Sequence, residues 1–235
     1  MKVTEAVILA GGKGTRLRSI TLNKIPKGLT EIQEKPILEW ELEWLAREGV
    51  NHVVLAIGHL SDKIQEHFDG EYRSNYGEVE IEISLEEEKL GSGGAFKQAT
   101  QRLTTDRTYV LNGDVMCNTS LSRMRQIHEQ SKAKATMLLV NMTSPYGIVQ
   151  RDNFMITSFI EKPRLDVQIH AGLDIIERSI FEQFPDHGQM EDTIFVELAK
   201  KNQFASYLMS NDEFWMSIDT EKDYSLANDN WSGIQ

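Results

Sequence analysis

The sequence predicts an α/β protein: a single, doubly wound domain built on a mixed sheet. Three observations carry that expectation. Short apolar strands alternate with helical stretches through the first 140 residues. The first strand is a near-continuous apolar run, as a strand covered on both faces requires, and a glycine-rich turn follows it at once. Beyond residue 145 the rhythm shifts to closely spaced strands joined by tight turns, which is an antiparallel pattern. No linker, repeat or low-complexity stretch interrupts the 235 residues, so one domain over 1–235 is expected.

Val3 to Ala10 reads as the first strand. Pro36 to Glu48 reads as a helix: proline suits a first turn, Ile37, Leu38, Leu42, Trp44 and Leu45 supply the apolar positions, and Gly49 can end it. VNHVVLAIG, from Val50, is the second strand, and SDKIQEHFDG, from Ser61, is a short helix with its own glycine stop. In EVEIEISL, Val79, Ile81, Ile83 and Leu85 alternate with Glu78, Glu80, Glu82 and Ser84. Such alternation means one buried and one wet face, at a sheet edge or in an antiparallel pair. LGSGGAF, residues 90–96, is expected as a glycine loop leading into a helix around Lys97 to Leu103. TYVLNGD from Thr108, SLSRMRQIHEQ from Ser120 and ATMLLVNM from Ala135 read as strand, helix and strand.

YGIVQRD and MITSFIEKP form a hairpin about Asp152 and Asn153, and HAGLDIIE is a further strand. Helices follow near Ser179 and Glu191, then the late strands FASYLMS and FWMSID. Thr220 with Asp223 makes a capping-box-like start for a last helix. Phe214, Trp215 and Trp231 read either as core or as the buried face of a homo-oligomer, and the sequence leaves both open. These elements together describe a Rossmann-like domain with a partly antiparallel C-terminal half.

The formal net charge of −11 argues against a protein that coats a nucleic acid polymer, though not against a small anionic ligand. A single cysteine, Cys117, excludes an internal disulfide and a cysteine metal cluster, and no partner histidine marks it as a catalytic thiol. The apolar run at the N-terminus is too short for a leader peptide, and no run approaches the roughly 18 residues of a membrane span. A cytoplasmic protein without a membrane partner is expected, and the glycosylation patterns at Asn118 and Asn141 are then chance.

Residues 9–28, LAGGKGTRLRSITLNKIPKG, oppose the global sign. Residues 1–30 hold Lys2, Lys13, Arg16, Arg18, Lys24 and Lys27 against one acid, Glu5. A glycine turn directly after a first strand lets backbone N–H groups approach phosphate oxygens. The spacing fits neither the Walker loop nor the G-x-G-x-x-G fingerprint, and GGxG alone reads equally well as a tight turn. The local charge favours a triphosphate, with Arg16 offering a planar fork and Lys27 a point charge.

LAGGKGTRLRS followed by PKGL resembles the signature of the sugar-1-phosphate nucleotidylyltransferases. The likeness continues through EEEKLGSGGAFKQA, VLNGDV, FIEKP, HAGLDII and FWMSIDTEKDYSLA, in the family's order and over nearly the whole chain. It is most similar to short heptose- or mannose-1-phosphate guanylyltransferase-like members, without the left-handed β-helix of longer ones. The resemblance implies the nucleotide-diphospho-sugar transferase fold, with a nucleotide-binding half at about 1–115 and a sugar-phosphate-binding half at about 116–228. It implies a transferase that couples a nucleoside triphosphate and a sugar 1-phosphate into an NDP-sugar and pyrophosphate, with Mg²⁺.

By the same resemblance, Leu9, Ala10, Gly11, Gly12, Gly14 and Thr15 wrap the nucleotide, and Gly91 and Ser92 pack on its base and ribose. Arg16 grips the pyrophosphate and Lys27 neutralises the reacting phosphates. Asp114 and Asp219, each alone an ordinary loop or cap residue, become the metal ligands. Glu161 and Lys162, alone a surface pair, hold the sugar hydroxyls and its phosphate, with Asn112, Gly147 and His170 beside them.

Glu86 sits where uridylyl-transferring relatives often place a glutamine. A carboxylate only accepts, which suits the paired N–H donors of guanine and favours GTP. Glu87 and Glu88 are rival candidates, and UTP or dTTP are the alternatives. A non-catalytic nucleotide-sugar sensor and a cytidylyltransferase acting on an alcohol phosphate also remain. Four positions depart from the family form: Gly28 replaces a proline and is expected to loosen its loop, Ser92 replaces threonine, Thr220 replaces glycine, and His170 replaces an asparagine that contacts the sugar.

Overall fold

The residues EAVIL form β1 (Glu5–Leu9), and the first four of them are buried. A computed structural model describes residues 2–68 and 70–234 and places β1 inside an eight-stranded mixed sheet. The segment after it forms a 3₁₀ turn at Thr15–Leu17, then α1 (Arg18–Thr21), a second 3₁₀ turn at Lys27–Leu29, and the two-residue pair β2 (Glu31–Ile32) and β3 (Lys35–Pro36). Next come α2 (Ile37–Arg47), β4 (His52–Ile57), α3 (Ser61–His67), β5 (Glu71–Ser74) and β6 (Gly77–Leu85). Asp69, within the stretch expected to be helical, lies outside the described residues.

The middle of the chain supplies α4 (Gly91–Thr100), β7 (Arg107–Asn112), β8 (Val115–Cys117), α5 (Leu121–Ser131) and β9 (Ala135–Thr143). The hairpin is β10 (Ile148–Asp152) and β11 (Met155–Ile160), followed by β12 (Arg164–Glu177) and a 3₁₀ segment at Arg178–Gln183. The last elements are α6 (Ile194–Lys200), β13 (Phe204–Leu208), β14 (Trp215–Ser217) and α7 (Glu221–Asn230).

Strand order in the main sheet is β13-β9-β12-β7-β1-β4-β6-β5. β1 pairs parallel with β4 on one side and β7 on the other, so the chain winds outward, returns and crosses to the opposite side. Ala6 and Ile8 point to one core layer with Leu38, Leu42 and Trp44 of α2, while Val7 joins Phe96 and Ala99 of α4 in the other. Each fully buried aliphatic side chain contributes about 1.5–3 kcal/mol, which is why an apolar run must lie at the centre. The doubly wound mixed α/β fold is the one the sequence predicts.

Four details differ from expectation. The helix assigned to 97–103 begins earlier, at Gly91, and takes in the glycine stretch. Those glycines serve packing: a Cβ on Gly91 would lie 2.6 Å from the Gly188 carbonyl oxygen, and one on Gly93 would lie 2.7 Å from Pro185 Cγ. Second, β6 forms the antiparallel pair that its alternation allowed, but with β5, whose EYRS sequence gave no strand signal, and it also pairs parallel with β4 inside the edge. Its alternation fails at the end, where Ser84 is buried and Leu85 exposed, because the Gln98 amide on α4 donates to Ser84 Oγ at 3.1 Å and to the Leu85 carbonyl at 2.8 Å. Third, β12 begins at Arg164, six residues before the HAGLDIIE stretch, because it pairs with β9 along its length. Fourth, the segment near Ser179 is 3₁₀, and α6 starts at Ile194.

The C-terminal capping box is present: the Thr220 hydroxyl accepts from the Asp223 N–H, and Asp223 Oδ2 accepts from the Thr220 N–H at 2.8 Å. Trp231 is buried against Leu17, Ile32, Ile37 and Ile218, with Phe214 edge-on at 5.1 Å, so these two aromatics are core. Trp215 is half-buried and donates from Nε1 to the Ala171 carbonyl at 2.7 Å. Cys117 is buried, and burial pushes its thiol up to about 12. Among the described residues no helix is long and apolar enough to cross a membrane.

Two predictions follow from this packing. Burial alone would raise the Glu5 carboxyl, but hydrogen bonds from the hydroxyls and backbone N–H groups of Thr105 and Thr104 outweigh it and bring it to about 2. With the folded-state pKa depressed, this stabilisation is complete above about pH 4.5 and is lost as pH falls toward about 2. Glu5→Gln should cost about 1–3 kcal/mol in urea unfolding at pH 7, with the gap to wild type closing across that acid window. Gly28, expected to loosen its loop, is instead buried, and a Cβ there would lie 2.7 Å from Leu38 Cγ. Gly28→Ala should therefore destabilise by about 1–3 kcal/mol, and by less in a Leu38→Ala background, as a double-mutant unfolding cycle would measure.

Candidate functional site

The parallel strands β1, β4, β6 and β7 all deliver their C-terminal ends to one rim of the sheet, where ligands of open α/β sheets bind. Loop 10–16 leaves β1, Gly58 and His59 follow β4, Glu86 follows β6, and Asp114 follows β7. β8 then pairs antiparallel with β14, Val115 opposite Ser217, and the Ile218 N–H donates to the Asp114 carbonyl at 2.9 Å. That pairing brings Asp219 to Asp114 from 105 positions further along the chain.

Lys27, largely buried, lies between the two. Its Nζ donates to Asp114 Oδ2 at 2.6 Å and to Asp219 Oδ1 at 2.9 Å. The exposed Arg16 donates from Nη2 to the same Asp219 oxygen at 2.9 Å, and the Ser217 hydroxyl donates to Asp219 Oδ2 at 3.1 Å. Burial raises the Asp219 carboxyl, but the Lys27 hydrogen bond and charge, with Ser217 and Arg16, more than offset it and hold it below the usual range. One lysine side chain thus bridges the two aspartates.

Glu41 lies beneath it and is wholly buried on α2. One oxygen accepts from the Val115 N–H at 3.1 Å, next to Asp114, and the other has no partner. Burial drives its pKa up, and the Asp114 charge adds to this against the Val115 bond and Lys27. Sequence reading passed over it. The available signal was a carboxylate between Leu38 and Leu45 at helical spacing, on the buried face of an amphipathic helix.

Three cavities meet at Gly12 and form one cleft. The largest, about 580 Å³, lies between Gly11, Thr15, Gly58, His59 and Glu86. A second of about 220 Å³ is lined by Leu9, Gly91, Ser92, Asn112 and Gln189. The third, also about 220 Å³, reaches Gly14, Arg16, Lys27, Asp114 and Asp219. Gly14 is left-handed (φ +56°), and a Cβ on it would lie 3.3 Å from Lys27 Cβ, so glycine is favoured where the loop turns toward the lysine. Ala10 is half-buried and its N–H extends the pairing to the Ala56 carbonyl at 2.8 Å.

Of the three consecutive glutamates, Glu86 is the half-buried one, packed over Gly11 and Gly58 and accepting from the Leu90 N–H at 3.2 Å. Burial raises its pKa. Glu87 and Glu88 are exposed on the outer wall of the largest cavity. Ser92 faces the cleft but is held by the segment after Pro185: its hydroxyl is 2.6 Å from Glu191 Oε2, and its N–H donates to Gln189 Oε1 at 3.2 Å. His59, Lys89 and Gln189 line the cleft without having been expected.

Glu161, Lys162 and Gly147 form a separate group at the base of the hairpin. Lys162 Nζ pairs with Glu161 at 3.2 Å, both side chains are exposed, and the Phe159 ring and Glu161 crowd Gly147. No hydrogen bond or ion pair among the described residues joins them to Lys27 or the aspartates. His170 lies 2.9 Å from the buried Asp174 and edge-on to Phe195 at 5.8 Å. Burial lowers the His170 pKa, but the Asp174 charge and hydrogen bond outweigh it and leave it raised; burial also raises the Asp174 pKa, and the attraction to His170 offsets this only in part.

Asp114 and Asp219 aim oxygens at a single cationic point, which suits a hard divalent ion whose other ligands are phosphate and water. No group of three or more His, Cys, Asp or Glu side chains with metal-holding geometry occurs among the described residues. Two carboxylates are therefore the donor set this site offers.

A family model described as "Nucleotidyl transferase" matches residues 5–232. The mannose-1-phosphate guanylyltransferase catalytic subunit beta of Xenopus tropicalis is 34% identical over 229 residues, covering 94% of this chain and 62% of that protein. The chain thus spans about 62% of the length of that relative. A crystal structure of HddC from Yersinia pseudotuberculosis complexed with GMP-PN superposes with a TM-score of 0.71 at 28% identity, covering 97% of this chain and 99% of that one. UDP-glucose pyrophosphorylase complexed with UDP-glucose shares the fold, with a TM-score of 0.73 at 18% identity over 97% of each chain. By its sequence from residue 5 to 232, its sheet order and its strand-end cleft, this chain belongs to the nucleotidyl transferase family.

Proposed function

We propose that this chain transfers a nucleotidyl group from GTP to a sugar 1-phosphate, giving a GDP-sugar and pyrophosphate. The observation that carries this reading is Lys27 set between Asp114 and Asp219 at one end of the glycine-lined cleft. The Xenopus relative's name and the nucleotide in the HddC complex support guanine as the base and mannose 1-phosphate as the first acceptor to try. Glu86, turned into the cleft over Gly11, is the group we assign to the guanine N–H edge. In this reading residues about 1–115 hold the nucleotide and about 116–228 the sugar phosphate. Nucleoside triphosphate and sugar phosphate are its partners, in a cytoplasmic setting without a nucleic acid polymer.

An oxygen of the sugar phosphate attacks the α-phosphorus in line, and the bond to the pyrophosphate oxygen breaks. Two strongly anionic reactants must be held together, so positioning and charge neutralisation supply most of the rate. Backbone N–H groups of the Gly11–Thr15 loop line the triphosphate's path, and Arg16 grips the departing pyrophosphate. Lys27 is positioned by the two carboxylates and places its charge at the reacting phosphate. Lys162 holds the sugar phosphate, Glu161 the sugar hydroxyls, and Asn112, Gly147 and His170 complete that end. Mg²⁺, held by Asp114 and Asp219, would supply Lewis-acid neutralisation of the phosphate oxygens.

Pyrophosphate release should appear with GTP, Mg²⁺ and a sugar 1-phosphate, and should exceed that with UTP, dTTP or CTP. Asp219→Ala should lower kcat by about 10²–10³-fold. GTP binding without pyrophosphate release from any sugar 1-phosphate or alcohol phosphate in the panel would contradict catalysis and indicate a sensor.

A further inference from the structure

His170 and Asp174 are four positions apart on β12, yet His170 Nε2 lies 2.9 Å from Asp174 Oδ2. In a regular strand four residues advance about 13 Å, and such side chains do not meet. The strand is irregular here: His170 stands opposite Leu139 of β9 and Asp174 opposite Met137, so β12 takes four steps where β9 takes two. Gly172 lies at the centre of this bulge in the left-handed region (φ +78°). A Cβ on it would lie 3.0 Å from Asn112 Nδ2, so the bulge backs onto a residue that lines the cleft. The bulge is pinned beside it, where the Ala171 carbonyl accepts from Trp215 Nε1 at 2.7 Å. Bulges of this kind re-aim a side chain and are frequent beside active sites.

Asp174 is 1% exposed, and its Oδ1 has no hydrogen-bond partner among the described residues. A carboxyl at this depth is costly, and packing alone would favour an apolar side chain of the same size. What Asp174 does reach is the imidazole. Burial lowers the His170 pKa, but the Asp174 charge outweighs it and leaves the ring holding its proton to higher pH. The second charge acting on the ring is Glu191, from the segment before α6; α6 brings the edge of Phe195, and the positions opposite on β9 and β7 are the uncharged Leu139, Met137 and Val110. Glu191 Oε2 lies 2.6 Å from the Ser92 hydroxyl, on the wall of the same cavity that Asn112 and Gln189 line. The pair is thus tied to that end of the cleft from two sides.

We infer that Asp174 is a positioning residue: it turns the His170 ring so that Nε2 faces inward, and leaves Nδ1 as the nitrogen that meets an anionic acceptor. The acceptor's place at this end rests on the proposed function. With Nε2 buried against a carboxylate, that nitrogen keeps its hydrogen in either charge state. Nδ1 then donates while the ring is charged and accepts once it is neutral. A charged ring suits a phosphate ester, so acceptor binding should weaken as pH rises through the His170 pKa. Without the Asp174 charge, burial prevails and that weakening should come at lower pH.

A histidine-ring NMR titration reads the placement without turnover. His170→Asn removes one of the six ring signals and so assigns it. That signal should titrate above about pH 6.5 in wild type and at lower pH in Asp174→Asn. Glu191→Gln, at an exposed position, should move it the same way by less, which keeps the test intact if Asp174→Asn does not fold. Steady-state rates with GTP and mannose 1-phosphate add a readout that a purely structural pair would not give. Asp174→Asn should raise KM for the sugar phosphate about ten-fold near neutral pH, with kcat and KM for GTP within about two-fold of wild type. In a His170→Asn background the same substitution should have no further effect on that KM. A His170 signal at or below about pH 6.5 in wild type would overturn the inference. So would a signal that Asp174→Asn, or Glu191→Gln where the first does not fold, leaves in place, or a loss spread equally over both substrates. Absence of turnover with any sugar 1-phosphate would instead strike the proposed function, with the titration still deciding how the ring is held.

Discussion

The Lys27 ammonium between Asp114 and Asp219 is the interaction on which the rest of the site depends. The three residues come from a 3₁₀ turn near the start, the turn after β7, and the turn before α7. Two carboxylates brought this close repel unless a cation intervenes, and a largely buried lysine is costly unless paired. Each therefore requires the others. Much of the surrounding structure meets that requirement: β8 with β14 sets the two aspartates in register, Glu41 ties down the Val115 N–H, and Gly14 lets the glycine loop close over the Lys27 stem. The cluster of Trp231, Phe214 and Ile218 packs the last helix, through Ala227, with Leu17, Ile32 and Ile37.

The same arrangement reconciles an acidic protein with an anionic ligand. Of the positive residues in the first 30 positions, Lys13, Arg16 and Lys27 line a rim built from strand ends and glycine N–H groups, where field and geometry add. Lys27 already has its partners, so its charge is held at a fixed point rather than swept through solvent. Charge gathered at the site in advance is what the proposed reaction between two phosphates needs, because little then has to be brought in as it proceeds.

How legible this was in the sequence depends on the range of the cause. β1, α2 and the Thr220–Asp223 cap arise from local periodicity and local hydrogen bonding, and each was readable within a window of a few residues. The start of α4 was not, because glycine propensity argues against a helix while the Gly188 and Pro185 backbone and ring, nearly 100 residues away, demand glycine there. β8 is three residues long, too short for any period to show, whereas β14 lies within the expected strand FWMSID. In the cleft, Leu9, Gly11, Gly12, Thr15, Arg16, Lys27, Glu86, Gly91, Ser92, Asn112, Asp114 and Asp219 come together because they sit at adjoining strand ends and turns. Gly147, Glu161, Lys162 and His170 stand apart because a hairpin outside the sheet, and a buried partner in the case of His170, set their positions. Glu41 was hidden by its setting, since its partner is a backbone N–H that only the fold brings near.

The central claim is that the Lys27–Asp114–Asp219 cluster is where a metal-bound nucleoside triphosphate is neutralised. Equilibrium binding of a non-hydrolysable GTP analogue, with and without Mg²⁺, tests it most directly in wild type and in Asp114→Asn. In wild type, Mg²⁺ should tighten binding by about ten-fold or more, and Asp114→Asn should lose most of that gain. An identical Mg²⁺ dependence in the two proteins would contradict the account.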